Sequence, residues 1–180
     1  MMEQDMEKIL FTQEELAARI KQMAAQITED YRDKKPVVIG ILRGSFLFMA
    51  DLVRQLDLPQ MTLDFMSVSS YGAGTESSGQ VKIKLDASES ITGKDVLIVE
   101  DILDTGNTLS RLTRELSQRH PASLKLCVML DKPDRRVQPI YADYKGFTVP
   151  DAFVVGCGLD YAQRYRQLPY IGILKPEIYT

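Results

Sequence analysis

The 180-residue chain is 44% hydrophobic and 26% charged, which is typical of a soluble globular protein and favours one domain with a substantial core. Its net charge of −3 gives no bulk attraction to nucleic acid or to an anionic membrane. No apolar run is long enough to cross a bilayer, no signal-peptide pattern is present, and Cys127 and Cys157 lack metal-site spacing, so we expect a cytoplasmic protein with buried free thiols.

The first predicted elements are a helix and a buried strand. Thr12 and Glu15 form a capping box, and apolar residues follow them at helical spacing. Residues 37–42 are almost entirely aliphatic and predict a strand that is buried on both faces. Arg43 and Gly44 follow the strand directly and lead into a second helical pattern, which places a cation in a short loop between a strand and a helix.

The next segment predicts a long hairpin. Residues 61–68 and 81–85 alternate well enough between apolar and polar side chains to indicate two strands. The connection between them, about residues 69–80, is rich in glycine and serine. Long loops of this kind in compact domains often cover an active site, so we expect a lid that becomes ordered when ligand binds.

The most informative stretch begins with four consecutive aliphatic residues at 96–99, which predict a strand in the middle of a parallel sheet. Glu100 and Asp101 follow where that strand would reach solvent, and a helical pattern begins near Asn107. A strand, a tight polar loop and a helix N-terminus form an anion site, because free backbone N–H groups and the positive end of the helix dipole point to the same place.

The loop itself, residues 104–108, carries more polar chemistry than a helix cap requires. Thr105 and Thr108 add hydroxyl donors, and Gly106 lets a ligand approach the backbone closely. One capping residue would be enough for an ordinary turn, whereas this stretch has three acids and two threonines within nine residues. The pattern therefore favours a ligand site over a simple connection.

The remaining predicted elements follow in order. His120 lies at the end of the preceding helix, where a cation suits the dipole, and no second histidine or adjacent nucleophile supports a catalytic dyad. Residues 124–130 predict a third buried strand, with Lys132 at its carboxyl end. The charge cluster at 131–136 is, by itself, typical of a solvated surface loop, and residues 170–174 predict a last short strand.

Residues 100–108, Glu-Asp-Ile-Leu-Asp-Thr-Gly-Asn-Thr, resemble the phosphoribosyl-pyrophosphate binding motif of type I phosphoribosyltransferases, and the aspartate at 104 resembles the branch that acts on hypoxanthine and guanine. The resemblance covers nearly all of the chain. It implies an α/β fold with a central parallel sheet flanked by helices, and a small hood formed by the terminal segments and the long flexible loop. The expected domain spans residues 1–180, with the hood mainly from the N-terminal segment and about residues 132–180.

The resemblance also implies a reaction and a set of site residues. Phosphoribosyl pyrophosphate would donate its ribose 5-phosphate to N9 of a 6-oxopurine, with Mg²⁺ as cofactor. The residues expected to bind phosphoribosyl pyrophosphate are Arg43, Gly44, Glu100, Asp101, Asp104, Thr105, Gly106, Asn107 and Thr108. Ser70 and Tyr71 resemble the start of the catalytic flexible loop, and Arg166 joins Arg43 in the pyrophosphate site.

The catalytic, purine and metal assignments come from the same resemblance. Asp104 is expected to be the general base that takes the N7 proton. The purine pocket would be formed by Lys132, Phe153, Val154 and Asp160, with Lys132 reading the oxygen at C6. Glu100 and Asp101 would hold the ribose hydroxyls directly or through magnesium, and Asp160 is a third expected metal ligand. The family also often has a non-proline cis peptide, here expected at Leu42–Arg43, and forms homodimers or homotetramers.

Three alternatives remain open at this point. The first is a regulator on the same fold that binds RNA or DNA, which has no strong basic stripe to support it. The second is a phosphoribosyltransferase for xanthine or another base. The third is a nucleotide-binding module of another α/β superfamily, although the chain has neither a P-loop nor a dinucleotide fingerprint.

Overall fold

The central sheet has six strands, and a separate three-stranded sheet is built from the two ends of the chain. The computed structural model describes residues 2–70 and 81–179. The strands are β1 (Met6–Phe11), β2 (Val37–Leu42), β3 (Thr62–Ser70), β4 (Val81–Leu85), β5 (Asp95–Leu103), β6 (Ser123–Asp131), β7 (Tyr144–Thr148), β8 (Val154–Val155) and β9 (Ile171–Leu174). The α-helices are α1 (Gln13–Asp30), α2 (Phe46–Val53), α3 (Asn107–Ser117) and α4 (Pro176–Tyr179).

The order of the large sheet is β4-β3-β2-β5-β6-β7, and every neighbouring pair is parallel except β3 and β4. The three predicted buried strands are confirmed as the parallel strands β2, β5 and β6 at its centre. The predicted hairpin is also confirmed, since β3 and β4 pair antiparallel. The carboxyl ends of β2, β5 and β6 therefore meet at one edge, where ligands of open α/β sheets bind.

Helices cover both faces of this sheet, which explains the uninterrupted aliphatic runs. Side chains of α1 and α2 pack with Val38, Leu97 and Val99 on one face, and α3 packs with the alternate residues of the same strands on the other. The predicted capping box of α1 is present, because Thr12 Oγ1 accepts the Glu15 N–H at 3.2 Å. Among the described residues, no helix is long and apolar enough to span a membrane.

The second sheet has the order β1-β9-β8 and is the hood expected from the terminal segments. β1 pairs antiparallel with β9, so that Met6 lies opposite Leu174. Cys127 and Cys157 are buried free thiols, as expected, and burial raises the pKa of the Cys157 thiol to about 11. The pairing brings the C-terminal residues back over the edge of the large sheet, beside the site described next.

Candidate active site

The loop between β5 and α3 forms one wall of a cavity of about 250 Å³ at the carboxyl edge of the sheet. Gly106 has φ of +81°, and a Cβ there would lie 2.7 Å from the Ile140 side chain, so only glycine fits without displacing a neighbour. The predicted loop and the acids before it line this cavity together with the loop after β2; the predicted residues that do so are Arg43, Gly44, Glu100, Asp101, Asp104, Thr105, Gly106 and Thr108. The structure thus brings two separately predicted loops to one place.

Asn107 is the exception in that loop. It lines neither this cavity nor the neighbouring one, and its side-chain oxygen accepts a hydrogen bond from Gln138 Nε2 at 2.9 Å. Its backbone N–H points to Thr105 Oγ1 at 3.3 Å. The side chain of Asn107 therefore serves packing of the loop in this structure.

Glu100 and Asp101 lie near the carboxyl end of β5, which ends at Leu103. Glu100 Oε1 accepts the Asp101 N–H at 3.0 Å, and Asp101 Oδ1 accepts the Ile102 N–H at 2.7 Å. Burial raises the pKa of Glu100 well above its ordinary value, and the neighbouring charge of Asp101 raises it further. Burial also raises the pKa of Asp101, against the lowering effect of the Arg166 charge. Two carboxyl groups are thus held close together where their ionisation is costly.

The loop after β2 packs directly against this pair. A Cβ at Gly44 would lie 1.6 Å from Asp101 Oδ2, so glycine is required for the carboxylate to lie against the loop backbone. The Leu42–Arg43 peptide is cis, as expected. Arg43 Nη1 donates to Gln163 Oε1 at 2.9 Å.

Arg166 donates a hydrogen bond to the same glutamine side chain, that of Gln163. Its Nη2 donates to Gln163 Oε1 at 3.2 Å and pairs with Asp160 Oδ1 at 2.8 Å, while Nη1 donates to the Gly158 carbonyl at 2.6 Å. Arg166 lines neither cavity, although its charge reaches Asp101. The sequence did not point to Gln163. Its backbone is left-handed, with φ of 66°, and no pattern of residue types predicts this.

A second cavity, of about 490 Å³, adjoins the first and is lined by Lys132, Phe153, Val154 and Asp160. All four predicted purine-pocket residues are therefore brought together. Lys132 is only 6% exposed, and its Nζ donates to the Ala152 carbonyl at 2.9 Å. Lys132 is therefore buried beside a cavity at the end of β6, although the charge cluster around it is typical of a solvated loop.

The second cavity is also lined by residues that the sequence did not reveal. The Tyr179 ring stacks on Phe153 with centroids 4.8 Å apart, and Ile102 and Leu159 complete the apolar lining. Tyr179 lies in the four-residue helix α4, beyond the last strand that the sequence predicted. Nothing local marks it, because only the pairing of β9 with β1 and β8 brings the C-terminus here.

Asp104 lines both cavities. Its Oδ1 is buried and accepts no hydrogen bond from the described part of the chain, while Arg135 Nε lies 3.4 Å away. A carboxylate at the junction of two cavities is placed to take a proton from a ligand that spans both.

Two predicted groups are not tested by this geometry. Tyr71 lies outside the described residues, and of Ser70 only the backbone, at the end of β3, is described. Within residues 2–70 and 81–179, no three His, Cys, Asp or Glu side chains form a cluster that could hold a metal ion by themselves. Asp160 is paired with Arg166 at 2.8 Å and accepts the Gln163 N–H at 2.8 Å, and its expected part in a metal site stays a prediction.

The chain is similar in sequence and in structure to known proteins. The family model for the phosphoribosyl transferase domain matches residues 7–162. The hypoxanthine-guanine phosphoribosyltransferase of Bacillus subtilis (strain 168) is 51% identical over 179 residues, which cover 99% of each chain. A crystal structure of a Staphylococcus aureus hypoxanthine phosphoribosyltransferase has a TM-score of 0.95 and 50% identity, covering 99% of this chain and 97% of that one.

A Trypanosoma cruzi hypoxanthine phosphoribosyltransferase mutant, in a ternary complex with substrates, has a TM-score of 0.93 and 48% identity, covering 98% of this chain and all (100%) of that one. Similarity therefore extends over the whole length of relatives that differ widely in origin.

Proposed function

The chain belongs to the phosphoribosyltransferase family, and from that premise we propose that it is a purine salvage enzyme, a pentosyltransferase for hypoxanthine and guanine. It transfers the 5-phosphoribosyl group of phosphoribosyl pyrophosphate to N9 of the base. The products are IMP or GMP and pyrophosphate.

The observation that carries this proposal is the position of Asp104. It is shared by a polar cavity that ends at a helix N-terminus and by a cavity lined by Lys132 and Phe153. The first suits a phosphorylated sugar and the second an aromatic base, so the bond between sugar and base forms where the two cavities meet. Asp104 is the carboxylate at that junction.

In the proposed mechanism, the backbone amides of the 104–108 loop and the Thr105 and Thr108 hydroxyls hold the 5′-phosphate. Asp104 takes the N7 proton of the purine as N9 bonds to the anomeric carbon. Positive charge develops on the ribose in an oxocarbenium-like transition state, and Glu100 and Asp101, once ionised, stabilise it. Pyrophosphate leaves toward Arg43 and Arg166, which already share a hydrogen-bond acceptor.

Glu100 and Asp101 also fit a magnesium ion. Two buried carboxyl groups with raised pKa values offer hard oxygen donors whose charge is poorly compensated. Few protein ligands are expected, because Mg²⁺ keeps waters and takes most of its oxygens from substrate. When bound, the ion would neutralise the charge of pyrophosphate and make it a better leaving group.

Recognition of the base is assigned to four residues. Lys132 donates to the oxygen at C6, and Phe153 stacks on the ring system. Val154 and Asp160 complete the pocket, with Asp160 held in place by Arg166. A buried cation at C6 favours oxopurines over adenine, whose 6-amino group is itself a donor.

We further propose a cytoplasmic homodimer or homotetramer. Both thiols are free and buried, which suits a reducing compartment. Leu63, Phe65 and Leu85 are 49%, 40% and 48% exposed on neighbouring strands at the edge of the large sheet, and they offer an apolar surface for a second copy. Light scattering after gel filtration tests the assembly state.

The activity itself is tested with purified protein, phosphoribosyl pyrophosphate and Mg²⁺, adding each of five bases separately and measuring nucleotide and pyrophosphate. Hypoxanthine and guanine should give nucleotide in a 1:1 ratio with pyrophosphate, and chelation of Mg²⁺ should abolish turnover. Turnover of xanthine or another base alone would favour a phosphoribosyltransferase for that base. Binding of phosphoribosyl pyrophosphate without any turnover would instead favour a regulator on the same fold.

A further inference from the structure

Three consecutive carbonyl groups, at the end of β5 and the start of the loop proposed to hold the 5′-phosphate, face one segment of the chain, residues 132–138. The Leu103 oxygen accepts the Lys132 N–H at 2.9 Å, and the Thr105 oxygen accepts the N–H groups of Val137 and Gln138 at 2.9 and 3.2 Å. The Asp104 oxygen, between them, accepts Arg136 Nε at 2.8 Å. Three consecutive peptide groups are therefore anchored from the same side.

Anchoring the carbonyls fixes the direction of the amides. In a trans peptide the C=O and the following N–H point in opposite directions, and the only cis peptide among the described residues is Leu42–Arg43. The N–H groups of Asp104, Thr105 and Gly106 must then point away from the anchoring segment. The first cavity, of about 250 Å³, is lined by these three residues and by none of Arg136, Val137 or Gln138, so the amides face that cavity.

Arg136 is the centre of this anchoring. Its guanidinium donates to the carbonyls of Asp104, Leu103 and Ile140 at 2.8, 3.1 and 2.7 Å and pairs with the Asp131 carboxylate. The Arg136 and Asp131 side chains are each only 13% exposed. A planar fork of five N–H donors can hold several acceptors at fixed angles, which a lysine ammonium cannot do.

The stem of Arg136 supports the same loop. A Cβ at Gly106 would lie 3.1 Å from Arg136 Cδ, so the glycine backbone rests on this side chain. Charge alone would predict a different place for Arg136, since it lies in the cluster that resembles a solvated loop. Its burial against three carbonyls instead shows that it is part of the scaffold of the phosphate site.

We propose that Arg136 is a positioning residue: it orients the amides of residues 104–106 toward the 5′-phosphate without touching the ligand. This inference rests on the proposed function, because it assigns the 5′-phosphate to that loop. It predicts a selective defect, in which ligands with a 5′-phosphate bind more weakly and ligands without one bind as before.

The test is Arg136→Lys, which keeps the charge and removes the fork. Titration calorimetry measures binding of IMP and of inosine, which differ only in the 5′-phosphate. We expect IMP to bind about 10- to 150-fold more weakly, as for loss of one charged hydrogen bond, and the inosine affinity to stay within about twofold. Arg19→Lys is the matched control, because Arg19 also donates to two backbone carbonyls, of Gly146 and Lys145, outside both cavities; it should change neither affinity.

An unchanged ratio of IMP to inosine affinity in Arg136→Lys would overturn the proposal, whether both ligands bind normally or both bind weakly. If circular dichroism shows that this variant does not fold, Asp131→Asn decides, since it removes the carboxylate partner of Arg136 and, besides that, a pair with Lys145 Nζ at 3.2 Å. It should lower IMP affinity selectively, and no selective loss would again overturn the proposal. Failure of the wild-type protein to bind IMP would contradict the proposed function instead, and so the two failures are distinguishable.

Discussion

Replacing Lys132 with glutamine should relax the discrimination between oxopurines and adenine. Lys132 is 6% exposed at the carboxyl end of β6, and its Nζ donates to the Ala152 carbonyl at 2.9 Å, which leaves two N–H donors to face the cavity. Glutamine is one bond shorter, and its amide can present either an acceptor or a donor. The 6-amino group of adenine, which meets only donors in the wild type, would then find an acceptor.

The size of the effect follows from the hydrogen bond that is lost. A bond from a charged donor contributes about 1.5–3 kcal/mol, which corresponds to about 10- to 150-fold in kcat/KM. We expect kcat/KM for hypoxanthine to fall by that factor while the value for adenine stays the same or rises. The KM for phosphoribosyl pyrophosphate should change little, because Lys132 lines only the second cavity.

The assay is separation of the nucleotide products by chromatography, with hypoxanthine or adenine varied at saturating phosphoribosyl pyrophosphate and Mg²⁺. Lys125→Gln is the control, since Lys125 lies toward the other end of the same strand and pairs there with Asp30 at 3.2 Å. That variant should keep the wild-type ratio of hypoxanthine to adenine turnover. If Lys132→Gln also keeps that ratio, Lys132 does not read the substituent at C6 and the reasoning is refuted.

Three further predictions concern the centre of the site. Asp104→Ala should lower kcat by roughly 10²–10⁴, the usual contribution of a positioned base, and turnover within a few-fold of wild type would remove Asp104 from that role. Glu100→Gln should raise the Tm of the metal-free protein near pH 8. Because folding raises the pKa of Glu100, the wild-type protein loses stability as the pH rises from the ordinary carboxyl value of 4.5 through the folded value, and glutamine removes that loss. The gain in Tm should therefore vanish near pH 4, and a gain that is independent of pH would contradict this cause. Gly158→Ala should cost about 1–3 kcal/mol or more in urea unfolding, because φ is +102° and the new Cβ would lie 2.0 Å from the Gly44 carbonyl oxygen; an unchanged unfolding midpoint would show that the two loops are not in contact.

Much of the fold was predictable because the sheet is buried on both faces. Strands β2, β5 and β6 had to be nearly all aliphatic, and such runs are visible without any knowledge of their partners. The capping box at Thr12 and the Asp-Thr-Gly-Asn-Thr loop are equally local signals. Each can be read from fewer than ten residues, and the structure contains each where the sequence predicts it.

The parts that were missed depend on contacts between distant segments. Tyr179 reaches the second cavity only because the pairing of β9 with β1 folds the C-terminus back. Gln163 joins Arg43 and Arg166 through a left-handed backbone that has no glycine to mark it. Arg136 was hidden in a charge cluster, and its role depends on which carbonyls happen to face it, a property that no pattern of residue types contains.

The roles assigned to Ser70 and Tyr71 stay predictions, as does the contribution of Asp160 to a metal site. In the structure Asp160 forms an ion pair with Arg166 at 2.8 Å and lines the second cavity. Charge spacing in the sequence could not separate a metal ligand from a partner for arginine, because both need a carboxylate at the same place.

The central claim is that one site joins a phosphorylated ribose to a 6-oxopurine. It is tested most directly by a single competition reaction that contains equal amounts of hypoxanthine, guanine, xanthine, adenine and uracil. Phosphoribosyl pyrophosphate is limiting, Mg²⁺ is in excess, and the products are analysed by mass spectrometry. We predict that IMP and GMP account for nearly all of the product and that pyrophosphate appears in equal amount. Dominant formation of AMP or UMP, or consumption of phosphoribosyl pyrophosphate without any nucleotide, would contradict the account.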